Sequence, residues 1–500
     1  MNIQKTMKNA FLKAALGLLI SGAIFTACSK DDTDIKETKP PETGKPMKEI
    51  SGTLTGEVKF YADTVYLLKG FVKVGQDDGT TILATGKLTI EPGTLIFGDR
   101  ETKGTLIIQR GSQIFAQGEA NNPIVFTSER GVGLKQPGDW GGVVICGRAK
   151  NNIPGGTAQL EGAYGAFHGG NDDDDNSGIF KYVRIEYAGI AINPNEEVNS
   201  LTMGSVGRGT IISHVQASYG LDDAFEWFGG TVNCTNLVAY RGLDDDFDVD
   251  LGYRGNVQFA LGIRDANYAD QSGSNGFEVD NNGSGSGDQP FTAPTFSNVT
   301  LIGPKANRET TISTNFQHAL HLRRNNKIKI YNSFFTGYPW GIYIDGSSTE
   351  SNATNGDLIF KNNIIAAVEN WGGNGFGGAG SLYVNNIVGI DGETGEGKQH
   401  PTVPRGVPYR VGTSSAFDLK TWVEANNTFL PKWEDAGISA SIFEVGSPNV
   451  LPTAGSLLLN DANFTGLTGL TTVAYRGAFG TENWTSGWAE FNPNAKDYSK

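Results

Sequence analysis

Between residues 222 and 280 the sequence places carboxylates beside aromatic residues in a recurring pattern: Asp222-Asp223 and Glu226, then Asp244-Asp245-Asp246, Asp248 and Asp250, then Glu278 and Asp280. In Ala224-Phe225-Glu226-Trp227, Asp246-Phe247-Asp248-Val249 and Gly276-Phe277-Glu278-Val279, strand alternation sends Phe225, Phe247 and Phe277 to one side and Glu226, Asp248 and Glu278 to the other. Asp222, Asp244, Asp246, Asp250 and Asp280 share the outward parity. Carboxylates stacked ~4.8 Å apart on neighbouring strands repel by about 1 kcal/mol or more per pair even at water-like dielectric. Two compensations stay open. Calcium takes about six to eight oxygens in flexible geometry, with Asp222, Asp244, Asp246 and Asp248 as candidate ligands. Alternatively, Arg184, Arg241, Arg254 and Arg264 balance a solvated acidic face. No EF-hand order is present, so spacing does not choose. The run Asn171-Asp172-Asp173-Asp174-Asp175-Asn176 reads as a solvated loop.

The same groups define a ligand surface: Glu226, Asp246, Asp248, Asp250, Arg254, Arg264, Glu278, Asp280 and, on matching parity further along, Tyr343. The pairs Asp222-Asp223 and Asp244-Asp245 are also of the kind that acid–base cleavage of a glycosidic bond uses, with Arg254 or Arg264 as base or sugar clamp. Trp140, Trp340 and Trp371 stand beside glycine-rich turns, where they either stack on sugar rings or pack under loops. His318 and His321, at i and i+3 on a strand, are expected on opposite sides, which argues against a metal pair. Cys-x-x-Cys, His-Glu-x-x-His, Gly-x-Ser-x-Gly and phosphate-loop patterns are absent.

What positions these side chains is a repeat. Leu88-Thr89-Ile90-Glu91-Pro92-Gly93-Thr94-Leu95-Ile96 recurs as Leu106-Ile107-Ile108-Gln109-Arg110-Gly111-Ser112-Gln113-Ile114. The series of Phe225, Phe247 and Phe277 continues through Leu320 and Ile342, and a second series follows each after a turn, at His214-Val215, Asn236-Leu237, Asn298-Val299, Ser333-Phe334 and Asn363-Ile364. Short alternating strands returning every ~20–25 residues fit coils that bury their inner faces only by stacking. A sandwich lacks such a repeat and a propeller blade is about twice as long. The expected fold is all-β, a single right-handed parallel β-helix over residues 53–390, with the phenylalanines as an inward stack and the Asn, Ser and His positions as a corner ladder. Residues 391–500 are expected to form a capping region with a short helix near Asp418–Glu424; a carbohydrate-binding lobe carrying Trp433, Trp484 and Trp488 is the alternative.

The chain of 500 residues carries 68 Gly and a formal charge of −14, which excludes a nucleic-acid partner. Residues 1–27 read as a secretory signal: Lys5, Lys8 and Lys13 precede an apolar stretch from Ala14 to Phe25. Thr26-Ala27-Cys28 resembles a lipobox, which implies lipidation at Cys28, and Ser29-Lys30-Asp31-Asp32 is similar to the tag that sends lipoproteins of Bacteroidota to the outer leaflet. Residues 28–52 are a polar tether. Cys146 and Cys234 are expected as small buried hydrophobes beyond disulfide reach.

The strings LTIEPGTLIFGD, GTLIIQRGSQIFAQG, PGDWGGVVICGRA, DDAFEWFGGTVN, GLDDDFDVDLGYRG and SGSNGFEVDNN resemble a family of Bacteroidota outer-membrane surface lipoproteins with a pectate-lyase-like right-handed β-helix. The resemblance implies a fold and a lipid-anchored place facing the exterior, with no assigned activity. Lyases on this fold hold acidic sugars with calcium, but their Arg-x-Pro context is missing near the ladder, as are the Asn-Thr-Asp and Gly-His-Gly strings of galacturonidase relatives. Binding of an extracellular polysaccharide, as accessory to a TonB-dependent nutrient importer, is therefore preferred. A calcium-dependent lyase or glycosidase and a structural or adhesive protein are the alternatives.

Overall fold

The computed structural model describes residues 43–193, 196–307, 309–368, 383–384, 387–388, 417 and 419–498. The signal, Cys28 and Trp371 lie outside the described residues. From Met47 onward the chain winds as a right-handed parallel β-helix whose strands join one 27-stranded sheet.

Each coil is bent into three faces. On the first, Val215 pairs with Leu237, Leu237 with Ala260 and Ala260 with Val299. The second stacks Leu201–Gly204, Phe225–Phe228, Phe247–Asp250, Phe277–Val279, His318–Leu322 and Trp340–Ile344. The third stacks Ile212, Cys234, Val257, Phe296 and Ile330. As expected, Phe225, Phe247, Phe277, Leu320 and Ile342 point inward and are fully buried, with Phe225 and Phe247 stacked at 5.8 Å. Each such side chain stabilises by about 1.5–3 kcal/mol through burial. Cys146 on the second face and Cys234 on the third are buried free thiols.

The corner between the third and first faces is turned by residues with left-handed backbone, His214, Asn236, Phe259, Asn298, Asn332 and Asn362, which most non-glycine side chains avoid and asparagine tolerates. The coil-to-coil amide ladder is real here: Asn362 Nδ2 donates to Asn332 Oδ1 at 2.7 Å, and Asn363 Oδ1 accepts from the Ser333 amide at 2.9 Å.

The ends differ from expectation. The strand Met47–Leu54 pairs with Val65–Val74, so the solenoid starts inside the stretch read as tether. Helix α1, Ser347–Asn355, is an insertion after the strand Trp340–Ile344. The short helix α2, Leu419–Glu424, extends the interior core with Leu419 and Val423, and its Trp422 donates to the Ala353 carbonyl of α1 at 3.1 Å. Thr428–Leu430 then adds to the first face. The remaining chain does not lie over the end of the rod; it runs back along its side. Asn463 bonds Asn332, Thr471 bonds Gln258, Glu490 bonds Gln216, and Tyr498 reaches Arg184 and Glu186. The reason is the outer side of the first face, where Val238, Tyr240, Leu261, Ile263, Ile302 and Phe334 are apolar and need cover. Trp433, Ile442, Leu458, Phe479 and Trp488 supply it, so Trp433 and Trp488 are core residues rather than an exposed sugar platform. Among the described residues no helix is long and apolar enough to cross a membrane.

Candidate functional site

The outward residues of the second face form one row. Glu226 is in register with Asp248, Asp248 with Glu278, Glu278 with His321 and His321 with Tyr343. At the bend leading into this face the Asp223 carboxylate accepts from the Asp245 amide at 2.9 Å, Asp245 accepts from the Asn275 amide at 2.5 Å, and Asn275 accepts from the His318 amide at 3.1 Å. The second residue of each Asp pair thus ties one coil to the next, and Asp222 and Asp244 stand beside them.

Loops from other coils wall this row into a cleft of about 760 Å³. Glu161, Glu197 and Asp270 come from three separate insertions, before and after the strand Gly178–Glu186 and after Asn256–Ile263, and join Asp222, Asp223, Glu226, Asp244, Asp245, Asp248, Asp250, Glu278 and Asp280. Only Arg323 and Arg324 among the lining residues are cationic. Arg323 pairs with Glu278 and, at 2.9 Å, with Asp280; Arg324 meets Asp280 at 2.8 Å. At the other end, Asp222, Asp223 and Asp244 form one set whose oxygens lie within 4.8 Å of one another; Asp223, Glu226 and Asp248 form a second, and Asp245, Asp248 and Glu278 a third that reaches back to the Arg323 pair. Asp223 and Asp248 are shared between sets. Asn199 Nδ2 donates to Glu226, while its own Oδ1, in a side chain almost wholly buried, has no partner.

Burial foremost, and then neighbouring carboxylates, hold these acids toward their protonated forms. Asp222 is pushed up to about 8, Asp250 to about 7 and Glu278 to about 7. Asp223, Glu226, Asp244, Asp245 and Asp248 are raised well above the usual carboxylate range for the same reason. A set of acids kept neutral by their surroundings either holds protons or is neutralised by a cation with many oxygen ligands.

Several sequence-predicted residues lie elsewhere. Asp246 is fully buried, bonded by Arg264 Nη1 at 2.9 Å and the Tyr338 hydroxyl at 2.9 Å. It stands just ahead of the strand, on the bend, where period-two alternation does not govern direction. Its carboxylate turns inward into the space left by Gly262, whose Cβ would sit 2.7 Å from Asp246 Oδ2. Both Asp246 and Arg264 therefore leave the ligand surface, and Asp246 leaves the metal set. Arg254 pairs with Asp173 at 2.6 Å, away from the cleft lining. Arg184 pairs with Glu186 and Arg241 with Asp265, so none of the four expected arginines pairs directly with a carboxylate that lines the cleft. The Asp172–Asp175 run is not simply solvated: Asp175 is buried against Arg148 at 2.7 Å. Tyr343 keeps its row position but is only 5% exposed, stacked on His321 at 4.7 Å, and Trp140 and Trp340 are buried as well.

His321 is the residue that parity reasoning missed. His318 sits on the bend, so the two imidazoles lie on one side with ring centres 5.1 Å apart. His321 Nε2 is 3.1 Å from Asp345 Oδ2, and Nδ1 is 3.7 Å from Glu278 Oε2. The alignment of Leu320 with Phe277 already carried the signal, since it puts His321 beside Glu278.

A parallel β-helix bearing a walled acidic cleft on one face is the class that these observations define. Residues 52–394 match the model of the pectate-lyase-like β-helix domain, and the chain belongs to that family. No curated protein and no solved structure matches it.

Proposed function

We propose that this is a surface protein that binds an extracellular polysaccharide in the acidic cleft, with calcium as the bridge. The observation that carries this reading is the chain of three carboxylate sets sharing Asp223 and Asp248, of whose members only Glu278 pairs with a basic lining residue. The donors are all oxygen, which suits a hard divalent cation and not a thiolate- or imidazole-seeking metal. Asp222, Asp223, Glu226, Asp244, Asp245, Asp248 and Glu278 would hold it, and calcium there would supply positive charge to hold uronate or hydroxyl oxygens of a sugar chain. Membership in the pectate-lyase-like family supports a polysaccharide as the ligand class.

The lipobox-like start supports anchoring through Cys28, and the tag-like Ser29–Asp32 supports the outer leaflet of the outer membrane, facing the exterior. A TonB-dependent importer is the proposed partner, on family and location alone. Binding is preferred to cleavage because both cleft arginines are already committed to Glu278 and Asp280. The observation favouring a lyase or glycosidase is that Asp222 and Glu278, raised to about 8 and about 7, are placed to donate protons near neutrality.

The deciding experiment incubates the purified protein with neutral and acidic polysaccharides, with calcium or with chelator, and assays both retained polymer and released fragments. Calcium-dependent retention without fragments supports binding. Fragments that vanish in Asp248→Asn make the cleft an active site, and neither result in calcium removes the proposal.

A further inference from the structure

The molecule has a second cavity, of about 450 Å³, on the opposite kind of surface: the corner between the third and first faces, where the returning C-terminal segment crosses it. Its walls include Asn236 and Phe259 from the solenoid and Tyr475, Thr481, Glu482 and Trp484 from the returning segment. The volume falls within the range of small-ligand sites, about 300–1,000 Å³.

Two departures from the corner's own pattern meet in this cavity. The corner asparagines of later coils use their amides to hold the C-terminal segment: Asn298 Nδ2 donates to the Tyr475 carbonyl at 2.8 Å, Asn332 to that of Asn463 at 3.1 Å, and Asn362 to that of Asp461 at 2.7 Å. The Asn236 amide, at the same structural position, has no hydrogen-bond partner among the described residues, and neither has the Tyr475 hydroxyl. On the next coil the position is taken by Phe259, with φ of 62°, a conformation that costs a bulky side chain more than it costs asparagine. The Phe259 ring gives up a bond to the C-terminal segment and lies half-buried, 6.0 Å from the Tyr475 ring. Gly480 leaves room for that ring, since a Cβ there would sit 2.7 Å from it.

We infer that this cavity is a binding site for a neutral sugar ring. Phe259 and Tyr475 offer aromatic surface for the sugar's C–H faces, Trp484, stacked on Phe479 at 4.9 Å, closes the wall, and the open Asn236 carboxamide and Tyr475 hydroxyl offer donors and acceptors for its hydroxyls. Glu482 is the one charged lining residue, so an anionic sugar is disfavoured. The site shares no residue with the acidic cleft and does not depend on the reading given for it.

The test is saturation-transfer NMR on the intact protein in chelator, with β-1,4-linked hexasaccharides of glucose, xylose and mannose as probes and laurate as an apolar control. Transfer to at least one sugar is expected, with Kd weakened at least about tenfold in both Asn236→Ala and Phe259→Asn. Phe259→Asn restores the corner's asparagine and so should keep or raise the melting temperature, which separates lost binding from lost folding. Asp248→Asn, in the cleft, should leave the transfer unchanged. No transfer to any of the three sugars, transfer that survives Phe259→Asn, or binding of laurate alone overturns the assignment.

Discussion

Asp248 stands directly beside Glu226 on the neighbouring coil, paired in register on parallel strands, and each belongs to a set of three carboxylates with oxygens within 4.8 Å. Asp248 also belongs to the next set, with Asp245 and Glu278. Replacing it therefore acts on two sets at once. In chelator, Asp248→Asn should raise the melting temperature by a few degrees, because it removes repulsion worth about 1 kcal/mol or more. Calcium should stabilise the parent protein by about 2.7 kcal/mol at a hundredfold excess over its dissociation constant, and the variant by much less. Calorimetry with and without calcium reads both effects; an equal calcium shift in parent and variant removes Asp248 from the site.

The raised acids also set a pH dependence. Asp222, Asp250 and Glu278 are pushed up to about 8, 7 and 7, above the values near 4 of an unfolded chain. The folded protein then binds more protons than the unfolded one across that window, so the stability these groups contribute is complete below about pH 4 and falls as pH rises through about 8. In chelator the melting temperature should decline from pH 5 to pH 9. Saturating calcium should flatten that decline, since the cation favours the ionised carboxylates. A thermal series in chelator that stays level or climbs contradicts the electrostatics described for the cleft.

Asp246 separates structure from site. It is buried with Arg264 behind the cleft, and removing one partner of a buried pair leaves the other charge uncompensated. Asp246→Ala should cost about 3–5 kcal/mol in denaturant unfolding while the folded variant binds calcium as the parent does. Weakened calcium binding in the folded variant would return Asp246 to the ligand set.

The contrast between Asp248 and Asp246 also marks what was readable in the chain. Within strands, period-two alternation is enforced by burial of Phe225, Phe247 and Phe277, and it places Glu226, Asp248 and Glu278 in one row. On the bends the backbone leaves that period, so the same parity argument misplaced Asp246 and set His318 and His321 apart. Glu161, Glu197 and Asp270 belong to insertions that share no repeat with the coils, and nothing local says that they reach the cleft. The path of the C-terminal segment was hidden for a similar reason. It docks through backbone groups on corner side chains such as Asn332 and Gln258, a pairing that residue types do not encode.

That segment carries the last prediction. Trp488 is fully buried over the first face, donates to the Trp484 carbonyl at 2.7 Å and packs its ring edge-on against Tyr182 and His214. Trp488→Ala should cost about 3–5 kcal/mol, since it opens a large cavity over an apolar surface that the solenoid cannot cover itself. The cleft is built on the second face from different residues, so calcium titration of the folded variant should match the parent. If the segment were a separate lobe, the loss would be confined to its own unfolding and the coils would melt unchanged. A single cooperative transition moved to lower temperature is the expected trace, because Arg184 and Glu186 on an early coil and Asn332 on a late one are tied together through this one stretch of chain.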